Sequence, residues 1–312
     1  MDFLANYFGS LNPMSFLSAL PGNIAQGIIW GLMGLGVFLT FKLLNFADLS
    51  VDGSFATGGA VTAVMLINGC PVWATIIVAI LAGLAAGLVT GLLHTLLGIP
   101  DILAGILTQI ALYSINLNIM GKSNLPISYR NYTLVVSASN INMAILVGLG
   151  ICAVVIAAMY WYFGTEQGST IRSTGSNPAM SKAQGININF TKVIALALSN
   201  GLVALSGSLF AQYQGFADVN AGRGAIVIGL AAVIIGEVVF GKISQNFGFK
   251  LFSVAFGAII YYLVLQVVLW MGLNSNDLKL LSALVVAVFL AIPYMKGKYF
   301  SKPVKRGGAP RA

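Results

Sequence analysis

The chain of 312 residues is 58% hydrophobic and only 8% charged, with a mean hydropathy of +0.91. That charged share is about a third of the usual one, which excludes a water-soluble globular fold of this length. A net charge of +8 would suggest a nucleic-acid partner in a soluble protein. Here the basic residues fall in loops and the tail, so the positive-inside rule accounts for them and no nucleic acid is expected.

Residues 1–22 mix Phe, Leu and Tyr with Asn12, Pro13, Pro21 and Gly22, a pattern too broken to span and expected at the interface. Ile24–Phe41 is an uncharged run of 18 residues, enough to cross once Lys42 snorkels. Lys42 is also the first basic residue, so no cleavable signal pattern is present. NFADLSVDGS (Asn45–Ser54) interrupts the apolar sequence with Asp48 and Asp52, and the run after it, Phe55–Ile67, is short for a span. Val72–Leu93 carries Gly83, Gly87 and Gly91 on one helical face, the mark of a close packing seam. Ile102–Met120 is uncharged but unusually polar, with Thr108, Gln109, Asn116 and Asn118. A polar loop over 121–140 holds Lys122 and Arg130, and Ile141–Phe163 is a clean span of 23 residues. Gly164–Phe190 is then the longest polar island in the chain. Val193–Tyr213 spans again with Ser199, Asn200, Ser206 and Gln212 in it. Gly215–Gly224 is polar, and Ala225–Gly236 is a second short apolar run ending at Glu237. Leu251–Gly272 and Leu280–Met295 are the last spans, followed by a basic tail.

The reading is an all-α polytopic membrane protein of about nine crossings. With the 164–190 loop inside, Lys42, Arg172, Lys182, Lys192, Lys242, Lys250 and the six basic residues of the tail lie on the inner face. Lys122, Arg130, Arg223 and Lys279 lie outside, an asymmetry of three to one that places the N-terminus out and the C-terminus in. The organisation expected is a first half over 1–163, the loop 164–190, a second half over 191–295 and a cytoplasmic tail, 296–312.

The polar island has a helix grammar of its own. Asn177 is a good N-cap, Pro178 suits the first helical position, and Gly185 supplies a left-handed terminator. A short helix Pro178–Gln184 follows, carrying Lys182 outward, with Arg172 in a preceding turn. From Thr165 to Ile186 the residues follow T-x-x-G-x-x-I-R-x-T-G-x-N-P-x-M-x-x-A-x-G-I. This pattern resembles the coupling loop of ABC importer permeases of the branched-chain amino-acid and ribose group. Within that group it is most similar to a subfamily paired with binding proteins for aromatic amino acids. NFADLSVDGS and the stretch Ser199–Glu237 resemble the group's signatures in the two halves, so the likeness covers most of the chain.

The resemblance implies a bacterial inner-membrane permease with no catalytic residues, no metal and no cofactor of its own. ATP and magnesium would be bound by a separate ATP-binding cassette ATPase. Arg172, Thr174, Asn177, Pro178, Met180 and Gly185 would form the element that engages it. The resemblance also implies a substrate-binding protein, expected on the loops 121–140 and 273–278, and a second permease copy, expected as a homodimer. An amino acid, aromatic in character, is the implied substrate, with a sugar or nucleoside as the alternative.

Phe46-Ala47-Asp48 recurs as Phe216-Ala217-Asp218, and each copy leads into a short apolar segment. Paired interrupted spans in corresponding halves point to the binding site of an inverted-repeat transporter. The expected pathway comprises Asn45, Asp48, Ser50, Asp52, Asp218, Asn220 and Arg223, with Asp48 and Asp218 capping the short helices. The same aspartates would be the ion sites of an ion-coupled secondary transporter, the rival reading. Ordinary N-caps in surface turns are the plain alternative.

Other features carry less. Gly236–Lys242 matches the start of a phosphate-binding loop, but Ile243 stands where Ser or Thr must hold magnesium. His94 is the only histidine, expected at the inner end of its span. Glu237 is expected to pair with Lys242, and Cys70 and Cys152 to remain unpaired thiols. Asn131-Tyr-Thr is a glycosylation sequon by pattern only.

Overall fold

A computed structural model of the protein describes residues 13–128, 132, 134–241, 243, 246–271, 280, 282–289 and 291. Arg130, Asn131, Lys242, Lys279, the 273–278 loop and the tail lie outside these residues.

The described chain is a helical bundle. Helix α1 (Pro13–Val37) continues into a π-helical segment, Phe38–Leu43. Next come α2 (Val51–Ile67), α3 (Val72–Thr95), α4 (Asp101–Met120), strand β1 (Asn124–Pro126) and α5 (Ile141–Phe163). The polar island forms α6 (Glu166–Ser176) and α7 (Pro178–Ala183). Then α8 (Ile188–Gln214), β2 (Phe216–Asp218), α9 (Ala225–Phe240) and α10 (Phe247–Trp270) complete the labelled elements. Among the described residues six helices are long and apolar enough to cross a membrane, while α2 and α9 are shorter.

Two expectations at this level need correction. Between Pro13 and Gly22 the chain is not broken: α1 includes Pro13 and continues through Pro21. In a packed membrane helix, neighbouring groups compensate the missing N–H of proline. Two residues on, Asn23 Nδ2 donates to the Ala19 carbonyl at 2.9 Å and to Gln266 Oε1 at 2.8 Å, which ties this turn to α10. The second correction is the two-stranded antiparallel ribbon, in which β1 and β2 pair Asn124 with Asp218 and Pro126 with Phe216. Three-residue strands leave no periodicity for a sequence reading to find.

The glycine seam is as expected. Gly83 and Gly87 face the α8 backbone at Asn200 and Leu196, and Gly91 faces Val193, so α3 lies antiparallel along α8 with no room for side chains between them. Similar close approaches join α2 to α8 at Gly58 and Gly207, and α9 to α10 at Gly236 and Gly257. Helix α1 threads between these groups, with Leu32, Met33 and Leu35 fully buried. Cys70 and Cys152 are free thiols.

Candidate functional site

The polar island builds a rigid projection at one end of the bundle. Thr165 caps α6, and the Asn177 side chain accepts from the Met180 N–H at 3.0 Å to start α7, with Pro178 at its first position. Gly185 ends α7 with φ +83°; its N–H donates to Lys182 O and the Ile186 N–H to Ser181 O, the paired bonds of a Schellman motif. The helix stops at Ala183, with Gln184 as its C-cap.

Arg172 ties this projection to the spans. Its Nη2 donates to the Phe163 carbonyl, at the C-terminus of α5, at 2.9 Å, and its guanidinium lies 5.5 Å from the centre of the Phe247 ring of α10. The cation thus meets a helix end whose carbonyls have no internal partner. Thr174 is buried, and the adjacent Gly175 lies so close to the Leu43 carbonyl that no Cβ fits. Pro178, Met180 and Lys182 stand exposed. Of the six expected residues, which lie along α6, α7 and their caps, Thr174 is buried and Arg172, Asn177, Pro178, Met180 and Gly185 are exposed.

Beyond Leu43, the π-helical segment carries Lys42, which pairs with Glu237 of α9 at 2.9 Å. Glu237 was expected to meet Lys242, which lies outside the described residues; its observed partner is 195 positions earlier in the chain. His94 occupies the same end of the bundle, with Nδ1 at 2.9 Å from the Ile99 carbonyl and Nε2 at 2.9 Å from Lys192 Nζ.

The seven expected pathway residues do not form one cluster. Asn45 is exposed and turns the chain with φ 55°, a conformation asparagine tolerates. Asp48 and Ser50 are sealed in the interior. Asp48 accepts from the backbone N–H and hydroxyl of Ser50 and, at 2.8 Å, from Asn200 Nδ2 of α8. Ser54 donates to Asn200 Oδ1 at 2.6 Å, so every group in this knot has a partner. Asp218 accepts from the Asn220 N–H at 2.8 Å, the same local turn that Asp48 makes with Ser50.

Asp218 does not cap the second short helix, which starts seven residues later. Asp52 does so from the other short helix. Its two carboxylate oxygens accept from the N–H groups of Gly224 and Ile226, each at 2.9 Å. The N-termini of α2 and α9 therefore meet at one carboxylate, where both helix dipoles favour negative charge. Gly222 is pressed against the Asp52 carbonyl. Beside this junction is a cavity of about 270 Å³, lined by Gln109, Tyr113 and Asn116 of α4 together with Asp52 and Arg223.

Two groups of functional interest were legible only as polar residues in apolar runs. Asn200 crosslinks α8 to α2, and Asn116 faces the cavity. Their polarity was visible, but the helices they would face were not.

Residues 22–293 match the family described as the branched-chain amino acid transport system permease component. The chain belongs to this family. It is thus an ABC-type, multi-pass membrane permease rather than an enzyme. The permease is 42% identical over 276 residues to a tyrosine transport system permease protein of Clostridioides difficile (strain R20291), covering 88% of this chain and 91% of the relative. It is 29% identical to the D-allose transport system permease protein AlsC of Escherichia coli (strain K12), over 81% of this chain and 77% of that one. Among solved structures, PsaBC from Streptococcus pneumoniae in complex with Fab shares the fold of the permease. Its TM-score is 0.51 at 19% identity, over 95% of this chain and 99% of that one.

Proposed function

We propose that this permease is the membrane subunit of an ATP-driven importer of an amino acid, aromatic in character, delivered by an extracytoplasmic substrate-binding protein. The observation that carries the coupling mechanism is the α6–α7 projection. Its bare tip, Met180 and Lys182, is free to dock on a partner ATPase, while its base touches the π-helical continuation of α1, and α5 and α10, through Gly175 and Arg172. A push on α7 reaches three spans without crossing a flexible loop. Two ATPase subunits need two such projections, so the permease works as a homodimer. ATP and magnesium belong to the ATPase.

The substrate class rests on the tyrosine permease relative and its 42% identity. The sugar alternative rests on more distant relatives, the D-allose permease at 29% and the ribose import permease protein RbsC of Haemophilus influenzae at 28% over 65% of this chain. Six long helices, two short ones and the helical residues within 280–291 support nine crossings. The repeated Asx turns at Asp48 and Asp218 support two inverted halves on either side of 164–190, with the tail inside.

The decisive experiment reconstitutes the permease with its ATPase and binding protein in liposomes and follows ATP-dependent uptake of labelled L-tyrosine. Gly185→Val combined with Arg172→Ala should leave ATP hydrolysis and insertion in place but uncouple hydrolysis from uptake. Nothing lies within 4 Å of where a side chain at 185 would sit, so the substitution acts through the positive φ alone. Full transport by the double variant would remove the coupling role.

A further inference from the structure

The importer reading leaves open which groups hold the amino acid during its passage, and the cavity beside the short-helix junction answers in chemical terms. Asn116 lies on the buried face of α4, fully shielded, yet among the described residues neither Nδ2 nor Oδ1 of its amide has a partner. Buried amides are rarely left so, because the groups lose water without gaining a replacement. Arg223, exposed to solvent, lines the same cavity and supplies a cation. Among the described residues its guanidinium has no carboxylate within ion-pair distance, and both oxygens of nearby Asp52 are held by the α9 backbone. What positions it is Tyr113, whose ring centre is 5.6 Å from the guanidinium carbon. Tyr113 and Asn116 are three residues apart on α4 and so share a face. The cavity, at about 270 Å³, is smaller than a drug-sized ligand site and suits one small molecule.

We propose that this cavity is the transit site for the amino acid, with Arg223 as its carboxylate receptor. The guanidinium fork takes the α-carboxylate of the substrate in a bidentate pair, an arrangement a lysine cannot reproduce. The Asn116 amide supplies one acceptor to the α-ammonium and two donors to other polar groups of the substrate. Tyr113 offers its ring to a flat side chain. Asp52 keeps the site in shape by holding the start of α9. The assignment rests on the amino-acid importer reading and adds the residues that recognise the substrate.

The test uses the full complex in liposomes, with labelled L-tyrosine and labelled D-ribose as probes. Arg223→Gln should lower tyrosine uptake at least tenfold, Arg223→Lys should recover part of it, and Asn116→Leu should raise the KM. In a background with Cys70 and Cys152 replaced by alanine, a cysteine in place of Gln109 should be protected from a small thiol reagent by loaded binding protein and ATP. This second readout keeps Arg223 native and decides the matter even where Arg223→Gln fails to assemble. Wild-type tyrosine uptake by Arg223→Gln, or labelling at 109 that tyrosine does not alter, would overturn the assignment. Uptake of ribose, unaffected by Arg223→Gln, would also overturn it. A wild-type complex that moves neither probe on ATP would instead overturn the importer reading.

Discussion

The two short helices have similar lengths and follow the same Phe-Ala-Asp triplet, yet they are held in opposite ways. Helix α2 is embedded. Gly58 and Gly207 bring it against α8, and four side chains from α2 and the turn before it bridge the contact: Asp48, Ser50 and Ser54 to Asn200, and Thr62 to Ser208 at 2.7 Å. Helix α9 packs on α10 through glycine contacts, and among the described residues Asp52 is its one hydrogen-bonding link to α2. Its far end is held by the Lys42–Glu237 pair. The contrast sets a frame of α2, α3 and α8, joined by polar bridges as well as glycine seams, against α9 and α10. These two meet each other and α1 mainly through glycine contacts and the Asn23–Gln266 bond. A tilt of α9 is the expectation the variants below test. In membranes, small residues and polar bridges supply the association that hydrophobicity cannot, so the number of bridges is a fair guide to which side is fixed.

The largest effect should come from attacking the frame. A side chain at 207 would overlap the Phe55 carbonyl, backbone against backbone, so Gly207→Val must push α2 away from α8. A loss of about 3 kcal/mol or more is expected for overpacking that cannot be relieved by a rotamer change. The readout is a failure to recover monodisperse protein in mild detergent. Wild-type yield and melting temperature would show that α2 is not fixed to α8.

Next is Asp48→Ala. It leaves the Ser50 N–H and one of the two Asn200 amide hydrogens without an acceptor in the interior, at roughly 1–3 kcal/mol per unsatisfied group, offset in part by removing a buried carboxylate. The Ser50 hydroxyl still reaches Asn200 Oδ1. A net loss of about 3 kcal/mol should appear as a lower midpoint in thermal unfolding. An ion-coupled transporter would instead lose its driving-ion dependence while keeping its stability, so this variant also separates the two mechanisms.

How far the sequence reached follows the same division. The α7 helix was legible because Asn177, Pro178 and Gly185 act within one turn of their own position. The α3 seam was legible because spacing by four places glycines on one face whatever they meet. Asp218 was misread because an acidic residue ahead of a helix is a generic N-cap signal, while the real cap came from Asp52, more than 170 residues away. Long-range partners leave no local pattern. The same holds for Glu237, where the nearest lysine in sequence was preferred to Lys42, and for Asn116, whose significance depends on a cavity wall contributed by the other half.

A moderate effect is expected at the junction itself. Asp52→Ala removes the acceptor for two N–H groups at the start of α9, at about 1–2 kcal/mol by comparison with other N-caps. The loss should be local. With native cysteines removed, a cysteine in place of Ile226 should label faster in Asp52→Ala than in its parent, while one in place of Ala60 in α2 should not. Equal acceleration at both positions would mean that α9 is not an independent unit.

The smallest effect on stability belongs to the Lys42–Glu237 pair, and it is the most informative for function. Both side chains are about half exposed, at 47% and 55%, so water and salt screen the attraction. Exposed pairs of this kind contribute roughly 0.2–1 kcal/mol, and the melting temperatures of Lys42→Gln, Glu237→Gln and the double variant should nearly coincide. Yet the pair sits where the π-helical segment, pressed by Gly175 of the α6–α7 projection, meets the end of α9. If α9 is the tilting unit, a weak tether at this position suits an element that must release and re-form in each cycle. Each single variant should then change the ratio of ATP hydrolysed to substrate moved by a few-fold. Charge exchange, Lys42→Glu with Glu237→Lys, should restore that ratio toward the parent value. Identical coupling ratios in all four proteins would leave the pair as a surface contact and would place the motion of α9 outside the cycle.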